Sequence, residues 1–265
     1  MISPLASVHQ GAKLGNNIII EPFAVVHENV TIGDHSIIMS HAVLMPFTHI
    51  GKNCKIFPSA VIGAIPQDLK FAGEETTVVI GDDTTIREFV TINRGTKDKW
   101  KTVIGNRSLL MAYAHVAHDC TIGNNVIIAN GVQLAGHVEI GDFAIIGGLA
   151  GAHQFTRIGA HTYIAGHTVI RKDVPPYIKA AREPMSYMGL NIVGLQRRKF
   201  PSDQIDVLSK IYHILFVANH STSTAIRLIN EQVSDGELKN EILQFVQDSK
   251  IGIIKRYAKN GADEY

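Results

Sequence analysis

With 265 residues, 45% of them hydrophobic and 18% charged, the chain has the length for one large or two modest domains around a sizeable core. Its 25 Lys and Arg against 24 Asp and Glu leave a formal net charge of +1, so no global field argues for nucleic acid or an anionic membrane. No apolar run nears the roughly 20 residues of a membrane span, and Met1–Leu5 lacks the basic-then-apolar pattern of a signal peptide; a cytoplasmic protein is expected.

From the start of the chain an aliphatic residue recurs at every sixth position: Val8, Leu14, Ile20, Val26, Ile32, Ile38, Leu44, Ile50, Ile56 and Ile62. Four residues after many of these anchors comes something small (Ala12, Ala24, Ala42, Ala60), and directly after several comes Gly with Asn, Asp or Lys, as in Ile32-Gly33-Asp34. A helix repeats every 3.6 residues and a lone strand every two. A six-residue unit of one short strand and one turn is the hexapeptide β-helix pattern.

After Ile62 the beat lapses, because Asp68 and Glu74 fall in anchor slots where a dry core would not hold a charge. The wall is expected to throw out a loop near residues 63–79, to resume at Ile80, Ile86 and Ile92, and to throw out a second loop near 94–102 that carries Trp100. A second run follows from Ile104 through Leu110, Val116, Ile122, Ile128, Leu134, Ile140, Ile146, Ala152, Ile158 and Ile164 to Ile170. Three hexads make an 18-residue turn, which gives about nine to ten coils of a parallel β-helix over residues 1–177, a mainly β fold. The period does not give the hand; the six-residue families it resembles wind left. Cys54 and Cys120 fall on inward positions of different faces and are expected to be buried thiols, too far apart to pair.

Val174-Pro175-Pro176-Tyr177 ends the ladder, since proline donates no hydrogen bond. Residues 178–265 are expected to form a C-terminal α-helical domain, its period helical from Asn191 onward. Ser202 opens a helix through Ile205, Leu208 and Leu215, Ala225, Leu228 and Ile229 mark another, and Ser234-Asp235-Gly236-Glu237 reads as a capping box for a third. The tail Gly261–Tyr265 reads as frayed.

Histidines concentrate in the second run: His115, His118, His137, His153, His161 and His167. The 18-residue turn puts His118, Gly136 and Gln154 in one column about 5 Å apart, and Asp119, His137 and Phe155 in the column beside it. His118 lies two residues past its anchor, so its ring is expected to point outward. Taken singly, each has an ordinary explanation: a solvated histidine, a turn glycine, a surface amide, a corner acid. In register they admit two chemistries. His118 as a general base oriented by Asp119, with the Gly136 N–H receiving an oxyanion, suits acyl transfer to a hydroxyl. His115, His118 and His137 around zinc would suit a hydro-lyase resembling hexapeptide-repeat carbonic anhydrases. A non-catalytic trimeric scaffold is the third alternative.

Several segments are more specific than the hexads: Gln67-Asp68-Leu69-Lys70, Ile92-Asn93-Arg94-Gly95-Thr96, His115-Val116-Ala117-His118-Asp119-Cys120, Leu134-Ala135-Gly136-His137, Ala152-His153-Gln154-Phe155 and Asn191-Ile192-Val193-Gly194-Leu195-Gln196-Arg197-Arg198. Together with the helical tail they resemble the UDP-N-acetylglucosamine O-acyltransferases that open lipid A biosynthesis, over essentially the whole chain. The resemblance implies a homotrimer of left-handed β-helices with sites in the clefts between neighbours. It also implies transfer of an R-3-hydroxyacyl group, carried on the phosphopantetheine of acyl carrier protein, to the glucosamine 3-hydroxyl of UDP-N-acetylglucosamine, with no metal and no other cofactor. His118 would be the base, Asp119 its support and the Gly136 N–H the oxyanion donor. Asp68, Lys70, His115, His137, His153 and Gln154 would line the sugar-nucleotide and acyl site, and Asn191, Arg197 and Arg198 would reach the uridine and phosphate end or dock the acidic carrier protein. Gly166 falls where the family gauges acyl length. Asn93 departs from the family pattern, which has His there, and residues 97–101 have no assigned role. The related UDP-3-O-acylglucosamine N-acyltransferase is a closer rival, but it carries an extra N-terminal domain, for which hexads beginning at Val8 leave no room.

Overall fold

The computed structural model describes residues 1–256; the tail expected to fray lies outside the described residues. Short parallel strands stack into three sheets of nine, eight and eleven strands. The first runs from Ser7–Val8 to Val169–Ile170, the second from Lys13–Leu14 to Arg157–Ile158, and the third begins at Ile19–Ile20. Each strand pairs with the strand three along, as in Val8 with Val26 and Val116 with Leu134, so three strands complete a turn and the anchors line a single interior. Ile38, Leu44, Ile56, Ile62, Ile86, Ile92 and Leu110 are all fully buried there, and so are the free thiols of Cys54 and Cys120.

Register shows how the loops are accommodated. Ile62 pairs with Ile92 and Ile92 with Val116, offsets of 30 and 24 residues instead of 18. The first loop, between strands Val61–Ala64 and Thr77–Ile80, therefore inserts two hexads, and the second, between Thr91–Asn93 and Lys101–Ile104, inserts one. Asp68, Glu74 and Asp98 are the anchor slots that these insertions skip.

Each turn has three corners, and the residue at the sharp point of each takes a left-handed conformation: Asn17, His35 and Asn53 on one column, Phe23, His41 and Ser59 on another. Asn, Asp and His tolerate this region better than most residues. Several aromatic residues found there stack on the residue one turn above, as Phe23 does on His41 at 5.2 Å and Phe89 on Tyr113 at 5.0 Å. The glycine after many anchors has a steric cause: a Cβ on Gly33 would lie 2.6 Å from the Gly51 carbonyl carbon. The polar residue beside it forms a ladder, in which Asp34 Oδ1 accepts from Asn16 N–H at 2.7 Å and Asp82 Oδ1 from Lys52 N–H at 2.7 Å.

Beyond the prolines the third sheet continues through Ile178–Ala181, an antiparallel Ser186–Leu190 and a final Lys255–Arg256. Four helices follow the antiparallel strand: α1 (Ile192–Arg197), α2 (Ser202–Tyr212, prolonged by a π-helical turn over His213–Val217), α3 (Thr222–Gln232) and α4 (Glu237–Gln247). α2 opens at Ser202 as expected, with Pro201 before it and no side-chain cap. One capping expectation needs correction: α4 starts from Gly236 without a side-chain cap, so the Ser234–Glu237 capping box does not form. Asp235 instead pairs with the buried Lys239, whose ammonium also donates to the Val233 carbonyl at 2.8 Å and so caps the end of α3.

Candidate active site

The corner following the strands His115–Val116, Gln133–Leu134 and Gly151–Ala152 assembles the two expected columns. His137 N–H donates to the His118 carbonyl at 3.0 Å and Phe155 N–H to the Gly136 carbonyl at 3.2 Å, which fixes the vertical register. The rings of His137 and Phe155 stack at 4.4 Å, while His118 meets His137 edge-on at 5.1 Å. Gly136 lies over the His118 ring, and among the described residues its N–H donates to no protein acceptor. Gln154 completes the column at the exposed end.

His118 departs from expectation in one respect. Its ring leaves the prism wall, yet the residue is only 7% exposed, because the second loop folds over this corner. Asp119, at φ 61°, is completely buried beneath that loop. Its Oδ1 accepts the Thr96 N–H at 2.9 Å and the Lys99 N–H at 3.3 Å; its Oδ2 accepts the Thr96 hydroxyl at 2.6 Å and faces His118 Nδ1 at 2.9 Å. Burial alone would raise the Asp119 pKa, but hydrogen bonds from Thr96 and His118 outweigh it and hold the carboxyl below its ordinary value. An ionised Asp119 accepts a hydrogen bond from His118 Nδ1–H, so the tautomer assigned to His118 leaves Nε2 free as a base. The Asp119 N–H is itself tied to Thr102 Oγ1 at 2.9 Å.

His115 bonds Thr91 Oγ1 through Nδ1 at 2.7 Å, and burial, aided by His118, keeps its pKa low. It shares a groove on that face with Ala117, Gln133, Ala135, Gly151 and the exposed His153. On the other side of the corner His137 and Phe155 border a second groove with Lys99, Glu139, Arg157 and Asp173. Burial holds the His137 pKa below its ordinary value against the pull of Asp119. Its Nε2 lies 3.8 Å from Asp119 Oδ2 and its Nδ1 3.2 Å from Asp98 Oδ2, the latter without hydrogen-bond alignment.

His118, Asp119 and His137 offer ligand atoms within 4.8 Å of one another. A metal there would have to take Asp119 from Thr96 or His118, and His115, the third histidine of a zinc set, turns to Thr91. Within the trio only His118 and Asp119 are joined by a hydrogen bond, and His137 stands 3.8 Å from the carboxylate.

Other expected residues lie elsewhere on the single chain. Asp68 and Lys70 sit on the first loop, where Asp68 Oδ1 accepts the Lys70 N–H at 3.0 Å; among the described residues neither side chain bonds to the His118 cluster. Asn191 caps α1, accepting the Gly194 N–H at 3.3 Å and donating to the His161 carbonyl at 2.9 Å. Arg198 donates to the Gly194 and Phe143 carbonyls at 3.1 and 3.0 Å and lies over the Phe143 ring, beside exposed Arg197. Asn191 and Arg198 thus stand at the corner of Phe143, His161 and Tyr177, a different one from that of His118. Gly166 belongs to the third corner, beside Tyr113, Leu149 and His167.

Thr96, Thr91 and Lys99 are the site neighbours that the sequence did not reveal. Asn93, whose departure from the family left its role open, is buried and donates to the Ile65 carbonyl at 3.0 Å. It holds the base of the first loop.

A hexapeptide prism with a buried His–Asp pair at one corner defines a transferase of the hexapeptide-repeat class. Bacterial transferase hexapeptide repeats match at residues 11–46, 29–64 and 101–136, and the second domain of UDP-N-acetylglucosamine O-acyltransferase matches residues 173–254. The acyl-[acyl-carrier-protein]–UDP-N-acetylglucosamine O-acyltransferase of Verminephrobacter eiseniae is 45% identical over 61% of this chain and 62% of its own length. Its namesake from Burkholderia orbicola is 42% identical over 74% of this chain and 77% of its own. The crystal structure of a UDP-N-acetylglucosamine acyltransferase from Bacteroides fragilis superposes with a TM-score of 0.94 at 47% identity, covering 96% of this chain and 100% of that one. The chain belongs to the UDP-N-acetylglucosamine O-acyltransferase family.

Proposed function

We propose that the protein moves an R-3-hydroxyacyl chain from the phosphopantetheine thioester of acyl carrier protein to the 3-hydroxyl of UDP-N-acetylglucosamine, the opening step of lipid A biosynthesis. The observation that carries this reading is the His118–Asp119 pair with Gly136 stacked on it. His118 Nε2 takes the proton of the sugar hydroxyl as its oxygen bonds to the thioester carbon. The Gly136 N–H, free of a protein acceptor, meets the negative charge that develops on the carbonyl oxygen. Collapse of the intermediate breaks the carbon–sulfur bond, and the departing thiolate recovers the proton from His118. Asp119 holds the imidazole in the required tautomer throughout.

A trimer is supported by the exposed column of Phe23, Phe89, Tyr113 and Leu149, each about half exposed or more on the single chain (49–61%). Neighbouring copies covering that column would bring Asn191, Arg197 and Arg198 of one chain, and Asp68 and Lys70 of the first loop, towards the His118 corner of another. Arginine is suited to the nucleotide phosphates by its paired donors. Two free, buried cysteines fit a cytoplasmic setting, and among the described residues no helix is long and apolar enough to cross a membrane.

The test is mass spectrometry of the product formed from UDP-N-acetylglucosamine with a panel of acyl carrier protein thioesters. A 3-O-acylated sugar nucleotide is expected; no acyl transfer with any donor of the panel would remove the assignment.

A further inference from the structure

The second loop reaches the reaction centre through one residue whose side chain and main chain both bind the same carboxylate. Thr96 is buried (7% exposed) and gives Asp119 two of its four short contacts, the hydroxyl at 2.6 Å to Oδ2 and the N–H at 2.9 Å to Oδ1. Oδ2 is also the oxygen that faces His118 Nδ1 at 2.9 Å. The loop is anchored independently of this contact: Lys99 Nζ pairs with Glu139 at 2.8 Å, and the Gly95 carbonyl accepts from the Thr76 hydroxyl. The Thr96 hydroxyl, which also accepts the Asp98 N–H at 3.3 Å, is therefore one of several ties on the loop. Its position matters for Asp119, since it shares the acceptor that orients the imidazole.

We infer that Thr96 is a positioning residue for the transfer reaction, tuning the basicity of His118 through Asp119; this rests on the reading of His118 as the base. With the hydroxyl present, Oδ2 divides its charge between two donors. Without it, Oδ2 serves His118 alone, binds the imidazolium more strongly and is freer to turn. The base would then be protonated over a wider pH range and less well aligned.

The experiment compares pH profiles of kcat/KM for the wild type, Thr96→Val, Thr96→Ser and His118→Ala. Thr96→Val, nearly the same shape without the hydroxyl, is expected to lose on the order of tenfold in kcat at neutral pH, a fraction of what a placed base supplies. Its acid limb moves to higher pH, with KM for UDP-N-acetylglucosamine unchanged, and Thr96→Ser restores both. A folded Thr96→Val with wild-type kcat and an unmoved limb overturns the inference. So does a loss of activity that tracks a lower melting temperature with the limb unmoved, which is the mark of a merely structural threonine. An inactive His118→Ala beside an unaffected Thr96→Val overturns the role of Thr96 alone. Retained transfer in His118→Ala overturns the His118 assignment and this inference with it.

Discussion

Gly136 is packed so closely over His118 that a Cβ added to it would stand 2.6 Å from the imidazole Cε1 and 2.8 Å from Nε2. Even the smallest side chain would therefore push the ring off Asp119 or lift the wall. Because a displacement of about 1 Å in a catalytic group can cost 10²-fold, Gly136→Ala should lose roughly that factor in kcat. The prism, held by its ladder elsewhere, should keep its circular dichroism spectrum. A folded Gly136→Ala enzyme with ordinary turnover would show that the column is not the reaction centre.

Acid sensitivity should trace in part to His161. The ring is stacked between Phe143 at 4.8 Å and Tyr177 at 5.4 Å, and burial, with Arg198 nearby, pushes its pKa down to about 4. A histidine depressed on folding contributes stability that is fully present above its unfolded pKa of about 6.5 and is lost as pH falls towards 4. Melting temperatures measured between pH 7 and 4 should therefore fall less steeply for His161→Phe, which keeps the aromatic stack, than for the wild type. Parallel slopes would contradict the prediction.

Chelation should leave the rate untouched. The one His/Asp group with metal-like spacing, among the described residues, already has both Asp119 oxygens engaged by Thr96 and His118. Activity after dialysis against EDTA, with zinc content measured alongside, checks this. Loss of transfer that stoichiometric zinc restores would return the hydro-lyase-like metal site to consideration.

Donor length should respond to Gly166. Gly166 and Gly148, one turn apart, line a groove with Tyr113, Leu149 and His167, and a Cβ added at 166 would meet the Gly148 carbonyl oxygen at 2.9 Å. Gly166→Met should shift preference towards shorter acyl chains in a competition between carrier-protein thioesters of different length. An unchanged product distribution would place the end of the acyl chain elsewhere.

The wall was legible because its anchors repeat with a period that no other element has, and the skipped charges Asp68 and Glu74 marked the first loop. Counting by 18 also placed Gly136 above His118, since no insertion falls between them. The same count fails across the second loop, where the offset becomes 24 residues, and so the contact of Thr96 with Asp119 could not be counted out. The strands at Ile178–Ala181 and Ser186–Leu190 were missed because they leave the hexad phase and pair antiparallel across a short turn. Nothing in the sequence marks Asn191 as the cap of α1, where its amide is engaged on both sides.

That both loops leave the wall between strands already locked in the ladder, such as Thr77–Ile80 on Thr48–Ile50, bears on how this scaffold tolerates change. A residue lost from the 65–76 excursion is absorbed outside the stack, whereas one lost inside a coil turns the inward isoleucine that follows it towards solvent. Length variation along such a chain thus belongs to its excursions, and the coils themselves admit change only in steps of the repeat.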